Sequence, residues 1–229
     1  MRVLGCIISH TEDYVHVGFN SECSALSSAV LYGGLVQANG VVNLRVQDSC
    51  CRPEDGLHTP ESVIAEHCRV MGWQGRTVGM MTAASMKSLR VSVNEAEGAA
   101  VAALITSGLS NARCAGDIAD CRTLTMEPEQ AGTINIVLIT NLNLTPAAMV
   151  EAIAVATEGK ASVLHRAGVK SQVSHDFATG TGTDSVAVIC KGSGPAVKYC
   201  GKHVLVGELI GRSVKQALEE SIQWDLEHE

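Results

Sequence analysis

Apolar positions along this chain fall into short runs, and the polar residues between them predict the order of elements. Strand-like pieces lead, at residues 2–8, 14–19 and 41–46. Between the last two lies Ser27-Ser28-Ala29-Val30-Leu31-Tyr32-Gly33-Gly34-Leu35. It is small and Gly-paired, which predicts a tight turn or a close approach of backbone to ligand. Turn residues crowd from Asp48 to Thr59. Thr59 as N-cap and Pro60 at the first helical position then predict a helix over 60–71. Three later runs resemble one another, at residues 77–83, 101–107 and 136–141. Continuous apolar runs of this length suit strands buried on both faces. Each ends in Thr with a small or amide residue, so their polar ends are expected along one rim of a sheet. Thr also ends strands well with no functional purpose, which would account for each case taken singly.

Two long helices are predicted to close the chain. The first, 146–167, starts at a Thr145 cap and stops at Gly168. Its front half, 147–157, carries no charge but Glu151 and is expected to be buried between layers. The second, 202–225, bears Val206, Leu209, Ile210, Ser213, Ala217 and Ser221 along one side. Gly207 and Gly211 lie one above the other on it. A glycine in a helix interior costs about 1 kcal/mol relative to Ala, so another backbone or a flat ligand is expected close against both. No linker or charge run divides the chain. The pattern predicts an α+β fold in a single domain, residues 1–229: a mixed sheet with buried strands packed against two long C-terminal helices.

Composition narrows the functional classes. Two Trp, three Tyr and two Phe leave the core to aliphatic residues. They also leave no stacking platform for single-stranded nucleic acid. A net charge of −7 without a basic patch argues further against nucleic acid. No apolar run reaches the roughly 18 residues of a membrane span, and the opening run is too short for a signal-peptide core. Nine cysteines, an odd number without a C-x-x-C pair, suit a cytoplasmic protein whose cysteines act as small buried hydrophobes.

Common catalytic motifs fail in turn. Gly201-Lys202 is followed by His203 and position 196 is Ala, so there is no phosphate-binding loop. Gly180-Thr181-Gly182 precedes an apolar run, whereas a dinucleotide fingerprint follows one. No zinc-peptidase helix and no G-x-S-x-G elbow is present. What remains is Ala178-Thr179-Gly180-Thr181-Gly182-Thr183-Asp184, directly before the run Ser185–Cys190. Alternating Thr and Gly frees the backbone to aim N–H groups at one developing negative charge, with hydroxyls and a carboxylate alongside. The same composition suits a plain turn that starts a strand. Glu158-Gly159-Lys160 interrupts the first long helix: either the helix emerges into solvent there, or Glu158 lines a cleft as a general base with Gly159 leaving room for ligand. Asp184 closes an Asx turn or serves the chemistry. His203, expected in the first turn of the last helix, would be held neutral by the helix dipole and able to relay a proton.

Together, Ser27-Ser28-Ala29 with Gly33-Gly34, Met81-Thr82-Ala83, Gly132-Thr133-Ile134-Asn135, Ala156-Thr157-Glu158-Gly159-Lys160, the 178–184 loop and Gly201-Lys202-His203 with Gly207-Glu208-Leu209-Ile210-Gly211 resemble the adenosylcobinamide amidohydrolases, the CbiZ family. The resemblance covers about residues 24 to 222; Gly159 stands where the family pattern carries Ala, a small change. It implies hydrolysis of the amide joining the aminopropanol arm of adenosylcobinamide to the corrin. The products would be adenosylcobyric acid and 1-amino-2-propanol, feeding corrinoid salvage toward coenzyme B12. Adenosylcobinamide is then the small-molecule partner and substrate. No further cofactor and no catalytic metal are expected, and a homodimer is the default assembly. A corrin calls for a wide apolar cleft edged with hydroxyls and amides. Thr82, Thr106, Thr140, Asn141, Asn135 and the Ser27-Ser28 pair are expected on that edge, with Asn43, Gly180, Gly182 and Glu208 completing the contacts. In the preferred mechanism Glu158 activates water and N–H groups around Gly180 to Thr183 hold the oxyanion. His203 or Lys160 protonates the leaving amine, oriented by Asp184. A covalent route through Thr181 or Thr183 is the second choice. A non-catalytic corrinoid-binding or delivery protein and a metal-dependent amidase stay open as other classes.

Overall fold

Every residue of the runs Ala99–Thr106 (β7), Asn135–Thr140 (β9) and Ser185–Cys190 (β12) is buried, as their unbroken apolar character requires. The structure is a computed structural model that describes residues 1–46, 59–121 and 133–228. The turn-rich stretch 48–58, Cys50-Cys51 and Gly132 lie outside the described residues. Before β7 come β1 (Arg2–Val3), β2 (Cys6–His10), β3 (Tyr14–Ser27), β4 (Gly34–Arg45), α1 (Pro60–Val70), β5 (Thr77–Thr82) and β6 (Arg90–Ala96). The remaining elements are β8 (Ala112–Arg113), β10 (Asn143–Leu144), α2 (Pro146–Arg166), β11 (Gly180–Thr181), β13 (Ala196–Val197) and α3 (Leu205–His228).

Nine strands form one curled sheet in the order β1-β2-β3-β12-β9-β7-β6, with β4 paired to β3 and β5 paired to β4. The curl originates in β3. Its first half pairs with β2 and with the end of β4, its second half with β12 and with the start of β4, and the register shifts between Gly18 and Cys23. Two half-sheets therefore face each other. Val15, Val17, Val41, Val78 and Met80 of one meet Ala102, Leu104, Val137, Ile139 and Ile189 of the other. Outside the second half-sheet, α2 and α3 cover Val101, Ile105, Ile136, Leu138 and Val188. Outside the first, Ile64 of α1 covers Val42 and Leu44. The result is the α+β architecture expected from the pattern, with four layers: helix, sheet, sheet, helix.

Several details differ from the pattern reading. The first run is a hairpin, broken at Leu4-Gly5, both at positive φ, a turn that supports tight two-residue connections. β3 and β4 extend well beyond the runs that announce them. β6 pairs with β7 although its half-exposed face gives no continuous apolar signal. β9 and β12 are parallel, whereas β7 runs antiparallel to β9. The end of β7 thus shares a rim with the starts of β9 and β12, while Thr140-Asn141 sits at the opposite rim. There Asn141 accepts from Ala100 N at 2.8 Å and donates to Gly98 O at 2.9 Å, locking the β6–β7 turn. One common rim for all three Thr ends is excluded by this alternation of direction.

Helix α2 begins as expected, with Thr145 Oγ1 accepting from Ala148 N at 3.2 Å and Pro146 at its first position. It buries one face only: Ala148, Met149, Ala152, Val155, Ala156, Gly159, Lys160, Val163 and Leu164. Val150 is exposed, so the front half is not enclosed all round. Helix α3 starts at Leu205, leaving His203 in the preceding turn. At Gly207 a Cβ would stand 2.5 Å from Cys200 O and closer still to Gly201 O, which is the close backbone anticipated there. Gly211 has only Val155 Cγ1 at 3.9 Å.

Candidate active site

The Thr-Gly loop is braced from three sides. Gly180-Thr181 pairs as β11 with β8, Thr179 N donates to Arg113 O at 2.8 Å, and Thr179 Oγ1 accepts from Ala115 N at 2.8 Å. Asp184 then turns its carboxylate back under the loop. Its Oδ1 accepts from Ile134 N at 3.0 Å and from Thr181 Oγ1 at 2.5 Å; its Oδ2 accepts from Thr181 N at 3.1 Å and from Lys160 Nζ. The Lys160 and Asp184 side chains are 8% and 11% exposed. A buried pair of this kind holds only if each charge has its partner and the carboxylate's other lone pairs are met, and here they are. Gly180 makes the arrangement possible, because a Cβ there would overlap Asp184 Oδ2 and stand 2.7 Å from Lys160 Nζ.

Hydroxyls flank this centre. Thr183 Oγ1 lies 2.7 Å from Thr133 Oγ1, two residues before β9. Ser185 Oγ lies 3.1 Å from Ser28 Oγ, which also accepts from Val186 N at 3.2 Å. Gly182 is exposed at the tip, and a Cβ on it would approach Asn111 Nδ2 at 3.2 Å. The structure thus brings Lys160, Gly180, Thr181, Gly182, Thr183, Asp184 and Ser28 together. Thr133, Asn111 and Ser185 join them with no role assigned from sequence. Thr133 lies within the 132–135 motif and Ser185 directly follows Asp184, but only strand pairing sets them against the loop.

Other expected site residues are placed elsewhere. Asn135 is 1% exposed and Asn43 4% exposed. Asn135 Nδ2 donates to Asn43 Oδ1 at 2.7 Å and to Met81 O at 3.0 Å; Asn43 Nδ2 donates to Thr106 Oγ1 at 2.8 Å. The cavity beside them measures about 10 Å³, on the scale of a single water. These side chains tie the two half-sheets together instead of edging a cleft. Thr82 is buried and accepts from Ala84 N at 3.0 Å, ending β5. Glu158 is 56% exposed and paired with Lys202. Two positions before Lys160, it points about 200° away around the helix, so it does not face the Thr-Gly loop. Gly159 leaves no space for ligand, since it packs on Val214 of α3. His203 is exposed, and Glu208 is exposed and paired with Arg212 at 2.9 Å.

At four cysteines a nucleophilic role is disfavoured by the same burial that makes them core residues. Burial pushes the Cys190 thiol up to about 11; burial and then Glu151 push Cys200 up to about 12. Cys6 and Cys23 are raised by burial as well. No helix among the described residues is long and apolar enough to cross a membrane.

A buried Lys160–Asp184 ion pair therefore holds the Thr181 hydroxyl within a braced glycine loop. The family profile described as adenosylcobinamide amidohydrolase matches residues 5–229, and the chain belongs to that family. It is 30% identical to the adenosylcobinamide amidohydrolase of Methanosarcina mazei over 205 residues, 86% of this chain and 88% of that one. It is 43% identical to an uncharacterized protein of Methanocaldococcus jannaschii over 95 residues. That match spans 41% of this chain and 37% of the other. Among solved structures, a β-aminopeptidase of Burkholderia sp. aligns at a TM-score of 0.48 with 13% identity, covering 93% of this chain and 79% of its own.

Proposed function

We propose that this chain hydrolyses the amide between the corrin and the aminopropanol arm of adenosylcobinamide, yielding adenosylcobyric acid and 1-amino-2-propanol. The step would return an incomplete corrinoid to coenzyme B12 synthesis in the cytoplasm. Family membership over residues 5–229 supports the substrate. The observation that carries the catalytic assignment is the 2.5 Å hydrogen bond from Thr181 Oγ1 to Asp184, itself paired with buried Lys160. A Thr hydroxyl needs an adjacent acceptor to become a nucleophile, and this one has it. Thr181 Oγ attacks the amide carbon while its proton passes into the Asp184–Lys160 pair. The Thr181 N–H is committed to Asp184, so the oxyanion falls to the Gly182 N–H next along the loop, and Lys160 protonates the departing amine nitrogen. Water then cleaves the Thr181 ester, restoring the hydroxyl and releasing the acid. Direct water attack with Glu158 as base, preferred from sequence, lacks geometric support because that carboxylate faces Lys202.

The test is incubation with adenosylcobinamide, without added cofactor and with chelator present, following free 1-amino-2-propanol by mass spectrometry. Release is expected, and hydroxylamine should intercept the Thr181 ester, carrying the acyl group off as a corrinoid hydroxamate and freeing the Thr181 hydroxyl. Thr181→Val should lower turnover by at least about 10³-fold, whereas Glu158→Gln should stay within about threefold of wild type. Tight cobinamide binding with no amine released would make the protein a binding or delivery module and overturn the proposal.

A further inference from the structure

The loop from Ser28 to Gly33, joining β3 to β4, is fixed at two points. At its start, Ser28 N donates to Val186 O at 3.1 Å, and its hydroxyl meets Ser185 and Val186 N, immediately beyond Asp184. At its middle, Leu31 and Gly79 exchange both backbone hydrogen bonds, at 3.0 and 2.9 Å. Gly79 permits this, since a Cβ there would stand 2.9 Å from Leu31 Cβ. A loop so anchored has a defined shape, yet it presents Val30 and Tyr32 outward, with Tyr32 47% exposed, and Leu35 at the start of β4 is exposed as well.

Tyr32 is also held at φ +56, in the left-handed region. A bulky side chain is uncommon there, and strain of this kind collects at ligand contacts and switch regions. Two glycines, Gly33 and Gly34, follow directly, so the chain carries residues suited to positive φ one step away. The Arg76 guanidinium stands 5.2 Å from the Tyr32 ring centroid and steadies it. A strained, steadied and solvent-facing aromatic, four residues along the chain from the Ser28 contact with Ser185, contributes little to the core.

We infer that Tyr32, with Val30 and Leu35, is the surface on which the flat apolar body of the substrate rests, making Tyr32 a specificity-determining residue. This rests on the adenosylcobinamide reading. The occupant follows from continuity: the patch and the candidate catalytic loop are joined through Ser28 and Ser185. The amide bond of a broad macrocycle lies at its rim, so the macrocycle must extend past the catalytic loop onto neighbouring surface. An aromatic ring flanked by aliphatic side chains suits such a face.

The experiment compares kcat and KM for adenosylcobinamide in the full chain and three variants, with folding checked by circular dichroism. Tyr32→Ala is expected to raise KM by about tenfold or more while kcat moves less than about threefold; Tyr32→Phe should bring KM back to within about twofold of wild type. Tyr32→Gly discriminates the cause. It relieves the left-handed strain but removes the ring, so it should match Tyr32→Ala. If Tyr32→Gly instead behaves as wild type, the residue only shapes the loop and the inference is wrong. Wild-type turnover with unchanged KM in the Ala and Gly variants overturns the inference alone. Absence of both binding and turnover in wild type overturns the substrate reading, and the inference with it.

Discussion

Lys160 and Asp184 are unequal partners in one buried ion pair. The carboxylate also accepts from Ile134 N, Thr181 N and the Thr181 hydroxyl, whereas Asp184 is the hydrogen-bond partner the described residues give Lys160. Removing the lysine leaves an anion that still has three donors. Removing the aspartate strands an ammonium in a site 8% exposed and frees three donors at once. Breaking a buried pair costs about 3–5 kcal/mol, and Asp184→Ala should lie at the upper end with Lys160→Met clearly below it. The surface pair Glu158–Lys202, more than half exposed on both sides, sets the contrast. Glu158→Ala should cost less than about 1 kcal/mol. Urea denaturation of the three variants gives the order directly, and equal losses for Asp184→Ala and Glu158→Ala would contradict the burial argument.

Helix α3 tests the reading of glycines as close-packing positions. Gly207 faces the carbonyls of Cys200 and Gly201, which are backbone and cannot yield, so Gly207→Ala should destabilise by about 1–3 kcal/mol. Gly211 meets nothing nearer than Val155 Cγ1 at 3.9 Å, so Gly211→Ala should stabilise by up to about 1 kcal/mol through helix propensity. A pair of thermal melts separates the two signs. The same contrast shows which parts of the fold were legible in the sequence. Helix starts at Thr59-Pro60 and Thr145-Pro146, and the strands β7, β9 and β12, are written in local chemistry and periodicity. Strand direction is not, and it moves Thr140-Asn141 to the far rim. Nor is the shift between Gly18 and Cys23 that lets β3 serve both half-sheets, because it depends on partners far along the chain. For the candidate site, the loop and Asp184 stand out in local composition, whereas which of Glu158 and Lys160 faces the loop depends on helix phase. The buried stripe through 152, 156, 159 and 163 includes Lys160 and leaves Glu158 on the other side.

At the scale of the whole molecule, the outer helix α1 and the first half-sheet meet at a cluster of rings, and this junction should make stability depend on pH. His16 stacks on Trp73 with centroids 3.7 Å apart and planes within 6°. Tyr14 and His67 of α1 pack edge-on around the same indole. Gly40 and Gly18 fit His16 closely: a Cβ on Gly40 would stand 2.9 Å from Nε2 and one on Gly18 3.3 Å from Cε1. Burial, and then the neighbouring His67, hold His16 down to about 4; His67 is lowered by burial, partly countered by Asp13. Both rings are therefore neutral in the fold, while in the unfolded chain they take up protons near the ordinary value of about 6.5. With the folded value depressed, the unfolded state binds more protons as pH falls, so stability is full above 6.5 and is lost from there toward 4. Each such proton contributes a slope of at most about 1.4 kcal/mol per pH unit, reduced here because solvent reaches part of the cluster. Acidification also brings a net charge of −7 toward zero, which relieves self-repulsion and would by itself favour the compact state. Melting temperatures at pH 7.5, 6.5, 5.5 and 4.5, at constant ionic strength, should fall across the last three values in wild type. His16→Phe keeps a ring on Trp73 but cannot take up a proton, so its melting temperature should fall less steeply. An identical slope in that variant would show that acid acts elsewhere than at His16.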